Sequence, residues 1–488
     1  ATGVGLLGLN FGSGDVNIRA DYAPGLDRHV VNSDGVGVLG LATGGNTFIG
    51  VDDVNAGLAG VVGLAAEDVT IFAGSTTSGA LGVAGFGGGN VNVTTGNTTS
   101  NTGGAGGLFG SGVLGISTGG NATVTAFGDT SVGDGLIGVG AAAFGSGNAS
   151  ATSHGDVQGD GLAGIIAVSG SGSATAELYG GGLVGDLPGN APIIGMGAVV
   201  LGGSSDATVT VGNLVDPASE VDATGVGLLG LNFGSGNVNI SADSIDPYGG
   251  ASAVNSNGIG IIGGAIGGDT TIAANQVNAG AVGILGFAGG NTDITAGATN
   301  ATGSGVIGLA GGTVDIVSGG VEAGDLGVAG FGGGDVNVTT GGTTSNNNGG
   351  GGLFGSGVLG VSTGGNATVL ATGDTTVGNG LIGVGAAAFG SGNASATSLG
   401  DVQADGLAGI IALSGSGSAT AELYGGDVLG STPFIGMGAI VLGGSSDADI
   451  TVGDGNAPAS TVNATGVGLL GLNFGSGDVN IRADYAPG

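Results

Sequence analysis

The sequence predicts an all-β, elongated repeat β-solenoid (β-helix) with rungs of about 22 residues and polar loop insertions. Three observations carry the prediction. A glycine-rich pattern, G-x-G-h-h-G-h-x-x-G-(G/S)-(N/D)-h-x-h with h apolar, recurs along the chain, for example from Gly3 (GVGLLGLNFGSGDVNI), Gly35 and Gly110. Two long copies of the chain differ by one block of 22 residues, Ala301 to Glu322. Helical periodicity is found nowhere, and the apolar residues fall instead in short runs bounded by Gly, Asn and Asp.

Each element of the rung follows from that pattern. The LLGL-type segment is one short strand, and the alternating segment, as in Val16-Asn17-Ile18 or Val91-Asn92-Val93, is a second. Glycine with Asn or Asp between them predicts turns with positive φ. A coil that turns once per rung lets every strand pair with the same strand of the next rung about 4.8 Å along the axis. Val16 and Ile18 then face inward and Asn17 outward. Two sets of residues are expected to ladder between rungs. One is Phe11, Phe86, Phe144, Phe233, Phe331 and Phe389, read as a single position that stacks at a corner. The other is the turn set Asp15, Asn46, Asn90, Asn121, Asn148 and Asp206.

The repeats operate on two scales. Residues 1–25 return unchanged at 464–488, and a variant begins at Ala223, so the chain reads as a slice of a longer array. Its expected division is 1–222, a first super-repeat of about 8 rungs; 223–463, a second of about 9; and 464–488, the start of a third. The offset between copies is 223 at Ala56/Ala279 and 245 at Gly135/Gly380, so the copies differ by one whole rung. Longer, polar connections such as 340–352 (TGGTTSNNNGGGG) are expected to project from one side.

Composition narrows the function. Three arginines (Arg19, Arg28, Arg482) and no lysine stand against 36 acidic residues, for a net charge of -33. A nucleic-acid partner or an anionic lipid surface would need a basic face. With 41% apolar residues the chain does not have the polar composition of a disordered polymer. Cysteine is absent, which removes disulfides and thiolate metal sites. No run of about 18 apolar residues exists, so no membrane-spanning helix is expected.

The rung pattern, with its Gly/Asn turns and alternating Val, Ile and Thr, resembles that of bacterial β-solenoid surface adhesins and extracellular filament proteins of filamentous-haemagglutinin-like architecture. The resemblance spans the whole chain and concerns architecture alone. It implies an extracellular or cell-surface protein, used for adhesion or biofilm cohesion. Calcium-binding nonapeptide rolls differ, because GGGDVNV at 332–338 does not recur every nine residues. Curli-type amyloids differ in laddering glutamine, which occurs here only at 158, 276 and 403.

Candidate chemistry is sparse, and no enzyme is expected. His29 and His154 are expected as surface residues, and no Ser-His-Asp or HExxH pattern occurs. The tightest acidic pairs, Asp52-Asp53 and Glu67-Asp68, are the candidates for weak calcium ligation. A carbohydrate-active or tail-spike-like β-helix would need carboxylates gathered in one groove. Ice binding would need Thr-x-Thr pairs such as Thr208-Val-Thr210 in register on nearly every rung. The sequons at Asn121, Asn148, Asn366 and Asn393 read as by-products of the turn pattern.

One feature does not fit a simple strand. Leu6-Leu7, Val61-Val62, Ile165-Ile166 and Val199-Val200 are adjacent aliphatic pairs, which a straight strand sends to opposite faces. Either the coil bends and buries both, or one side carries an exposed aliphatic stripe. The stripe reading gives a structural protein that packs against itself, with cell-surface or polysaccharide ligands as further partners.

Overall fold

The computed structural model describes residues 1–20, 29–100, 110–133, 135–185, 191–212, 219–243, 251–345, 355–378, 380–430, 433–453 and 460–483. They fall into two compact units, Ala1–Gly258 with Ile262–Gly267, and Ile259–Ile261 with Gly268–Gly488. Each unit is an all-β parallel β-solenoid, and no helix is long and apolar enough to cross a membrane among the described residues. Parts of the longer connections, including 346–352, lie outside the described residues, and with them the expected projection from one side.

One rung shows how the sequence makes the coil. The strand Val36–Ala42 forms the first face. A turn over 43–46 leads into Thr47–Ala56, a strand long enough to serve two faces. Its first half pairs with Val16–Ala20 and its second half with Val30–Ser33. The next rung repeats this with Ala59–Ala65 and Val69–Ser78, each parallel and in register with the strand before it. The block present only in the second copy confirms the unit. It brings a first-face strand, Ser304–Ala310, with Val314–Ser318 and Val321–Ala323 to complete one rung.

The core is asymmetric. The second face points Val, Ile and Ala inward, with Ile49, Ile71 and Val93 almost fully buried. The first face meets them mainly with glycine and one aliphatic residue per strand. A Cβ on Gly63 would stand 3.0 Å from a Val69 methyl and 3.1 Å from Ile71 Cδ1, and Gly40 meets Thr47 and Ile49 in the same way. The β-branched side chains therefore pack onto bare backbone, which lets the two sheets approach closely.

Glycine in the turns has a different cause from the one the sequence suggests. Among the described residues positive φ is confined to Gly180, Gly203, Gly212, Gly425, Gly430, Gly444 and Gly453. Elsewhere the constraint is the neighbouring rung. A Cβ on Gly45 would lie 2.6 Å from the Gly14 carbonyl oxygen, and one on Gly44 would lie 2.8 Å from that of Gly12. Most turn glycines are thus required by close stacking and only a few by left-handed backbone.

The Asp/Asn ladder is present. Asp15 Oδ1 accepts the Asn46 backbone N–H at 2.8 Å, Asn90 Oδ1 accepts that of Asn121 at 3.0 Å, and Asn121 Oδ1 accepts that of Asn148 at 2.8 Å. Asp206 continues it to Asn237 at 2.7 Å. Because the group used is a side-chain oxygen accepting from backbone, Asp and Asn serve equally.

The phenylalanines are a correction. Phe86 lies within its strand, in register with Leu64 and Ile116, and Phe331 lies between Leu309 and Val361. Phe11, Phe144, Phe233 and Phe389 follow their strands, in the turn position that holds Thr43, Gly170 and Leu201 on other rungs. The six thus occupy two positions. In the turn position, smaller residues such as Thr118 and Gly170 intervene between phenylalanines and interrupt a continuous aromatic stack.

Candidate functional site

The adjacent aliphatic pairs resolve as one residue in and one out. Val61 and Ile165 are wholly buried and Val62 and Ile166 half-buried on the outer side; in the pair Val199-Val200 it is Val200 that is buried. Leu6 and Leu7, in the first rung, divide likewise, with Leu7 the more exposed. The irregularity falls earlier in the strand. Pairing skips the glycine at the second position, as at Gly37 between Val36 and Val38, so two consecutive residues turn inward there.

The outer surface of the first face is consequently aliphatic. In the first unit, register carries Leu39 onto Val62, and further along Ile166, Gly197 and Leu229 follow one another. A parallel row two residues on runs through Leu41, Leu64, Phe86 and Ile116. Among the described residues, no first-face strand in either unit contains a charged residue. Both margins are apolar too. Phe144, Leu201, Phe233 and Ile266 are each at least half exposed along one edge, and Leu58 and Ile193 along the other. Phe389, Leu442 and Phe474 repeat the first edge in the second unit.

Part of this surface is already sealed within the chain. Leu81, Ala84 and Leu114 form a small buried cluster with Val36, Val62, Phe86 and Ile137 against it. The second unit repeats it with Leu326, Ala329 and Leu359. A seven-residue strand at about 3.3 Å per residue and about 4.8 Å between rungs presents roughly 110 Å² per rung, hence roughly 900 Å² over the rungs of one unit. The whole face, sealed clusters included, is larger than the apolar patch of about 300–600 Å² found on ordinary monomers.

The second face has the opposite exterior. Its outward positions hold Asn17, Phe48, Thr70, Asn92, Thr123, Ser150, Thr175 and Thr208 in successive strands, polar except at Phe48. Thr-x-Thr pairs occur at Thr123/Thr125 and Thr208/Thr210, but the rungs between carry Ser150/Thr152 and Thr175/Glu177. Asp293 faces Asp315 here, and burial together with that neighbouring carboxylate raises its pKa.

Among the described residues, the acidic pairs do not gather into a larger cluster. Asp52 accepts the His29 backbone N–H at 3.3 Å, with the His29 ring 3.7 Å away. Asp53 follows it where pairing skips a residue, so both carboxylates stay outside, between the buried Val51 and Val54, and line one depression. Asp68 belongs to the turn ladder, accepting the Asn90 N–H at 2.6 Å, and Glu67 is exposed beside it. No group of three or more His, Asp or Glu side chains that could hold a metal ion occurs among the described residues.

Two features escaped the sequence. A second ladder runs at the corner between the second and third faces, where Asn97 accepts the Asp129 N–H and Asp129 that of Asp156, both at 3.1 Å. Asp374 and Asp401 repeat it. Its spacing equals that of the first ladder, a signal the alignment of rungs contains. The other is a line of aromatic rings. His154 stacks on Phe127 at 5.1 Å between centroids and meets Tyr179 at 5.6 Å. Burial, and then the Glu177 carboxylate to which it donates, push the Tyr179 phenol up to about 12. Comparison with known protein families, with curated proteins and with solved structures gives no match.

Proposed function

We propose that the chain is a structural segment of an extracellular or cell-surface fibre, in which β-solenoids associate laterally through their first faces to give surface attachment or biofilm cohesion. The observation that carries this is an uncharged aliphatic sheet face on a protein of net charge -33. Like-charged copies repel everywhere except where neither bears charge, and burial of apolar surface then favours contact there. The face spans roughly 900 Å² per unit, part of it sealed at Leu81, Ala84 and Leu114, which is of the order of the roughly 800 Å² per partner of a stable interface. The extracellular setting and the adhesive role rest on the resemblance to bacterial surface solenoids.

Sedimentation and electron microscopy of the chain test the reading. The parent protein is expected to form dimers or bundles at micromolar concentration. Ile166→Asp with Leu229→Asp, both on the outward row, is expected to leave monomers of unchanged strand content. A parent chain that stays monomeric, or a double variant that associates as before, would sink it.

A further inference from the structure

Away from the first face, the corner after the second face carries a notch. On successive rungs it holds Asp52, Gly74, Gly96, Phe127, His154 and Tyr179. The two glycines are required by stacking, since a Cβ on Gly74 would sit 2.5 Å from the Asp52 carbonyl oxygen. They leave a gap two rungs long, about 10 Å. Two adjoining depressions, of about 430 and 580 Å³, meet at Gly74, Gly96 and Phe127. Phe72 walls one, while Ser75 and Asn97 line the other.

The rings are held from behind. Phe72 is 48% exposed and rests on Phe48 at 6.0 Å, over which the Arg19 guanidinium lies at 4.7 Å. Phe127 is 62% exposed and is backed by the stacked His154 ring. Exposed rings cost solvation, and bracing each with a second aromatic group fixes a platform in advance of any ligand.

The second copy supplies an internal comparison. Its corresponding column keeps the gap, with Gly297, Gly319 and Gly341 stacked on one another. In place of Phe48, Phe72, Phe127 and His154 it has Thr271, Thr295, Thr372 and Leu399. The solenoid therefore needs the glycines but not the rings.

We infer that the notch lined by Phe72 and Phe127 is a binding site for an uncharged polysaccharide chain. Pyranose rings present an apolar face to stack on phenylalanine and hydroxyls for Thr94, Ser75 and Asn97. A gap of two rungs accommodates about two sugar units of an extended chain. Asp52 and Asp53 at its end, on a protein without lysine, disfavour an anionic glycan. The site is separate from the first face and goes beyond lateral association.

The test is calorimetric titration of the full chain with neutral hexasaccharides of β-1,4-glucan, β-1,3-glucan, mannan and xylan, with oligogalacturonate as an anionic probe. At least one neutral hexasaccharide is expected to bind. Phe72→Ala and Phe127→Ala should each weaken it about tenfold, whereas Thr295→Ala and Thr372→Ala in the second copy should not. The inference is overturned if no neutral probe binds, if oligogalacturonate binds more tightly, or if binding survives the paired phenylalanine substitutions. Repeating the titration on the Ile166→Asp/Leu229→Asp variant keeps this outcome distinct from that of self-association.

Discussion

The first and second faces enclose the same core, yet their exteriors differ in character. Inside, both supply small or β-branched residues that pack glycine backbone against Val and Ile. Outside, the second face carries mostly Thr, Asn, Ser and Asp, with Phe48 and Phe72 as local exceptions, while the first carries Leu, Val, Ile and Phe. Stacking constrains only the inward residues and the turns, so an exterior is free to vary. An exterior that stays aliphatic on rung after rung is what the proposed lateral association would require.

The comparison can be broken from either side. The largest effect is expected in the core, where Ile71→Ala should cost about 2–5 kcal/mol, read by chemical denaturation. Phe72→Ala, the next residue outward, should leave stability nearly unchanged, since its ring is half exposed. If both cost the same, the inward and outward roles assigned to the second face are mistaken.

The turn ladder gives a smaller effect. Asn121→Ala removes the acceptor for the Asn148 N–H and should cost about 0.5–1.5 kcal/mol. Asn121→Asp keeps the acceptor and should be close to neutral, as the natural use of Asp15 and Asp68 in the same position indicates. Equal losses in the two variants would show that the amide N–H₂, and not the oxygen, is what matters.

The smallest effect concerns the polar exterior. Asp293 has its pKa raised by burial and by Asp315, so its protonated form is favoured in the folded state. Its contribution to stability is full below the ordinary aspartate pKa and is lost as pH rises through the raised value. Asp293→Asn should thus stabilise the protein at neutral pH by a few tenths of a kcal/mol, with no gain at low pH. Thermal unfolding of both proteins from pH 3 to 7 checks the sign; a variant less stable at pH 7 would reverse it.

Much of this was legible in the rung pattern because stacking repeats the same local demand. The 22-residue block predicts a whole rung and supplies one, and the position shared by Asp15, Asn46 and Asn90 predicts a ladder that the structure contains. The phenylalanines look like one position in the sequence because Phe86 and Phe11 stand two residues apart in register, a shift that spacing from the nearest glycine conceals. The turn glycines suggest positive φ in the sequence because a single chain segment does not show the carbonyl of the rung beneath it.

By itself the sequence determined the all-β class, the rung, its ladder and the absence of a basic surface, since each follows from a pattern along the chain. Whether Leu6-Leu7 and its counterparts were buried together or divided depended on where the strand breaks its alternation. Only the tertiary structure places that break at the second-position glycine, such as Gly37, where pairing skips a residue. Alternation then resumes and sends one member of each pair inward and the other out. The brace behind Phe72 and Phe127 was likewise decided in three dimensions, because its residues come from neighbouring rungs that only the coil brings within contact.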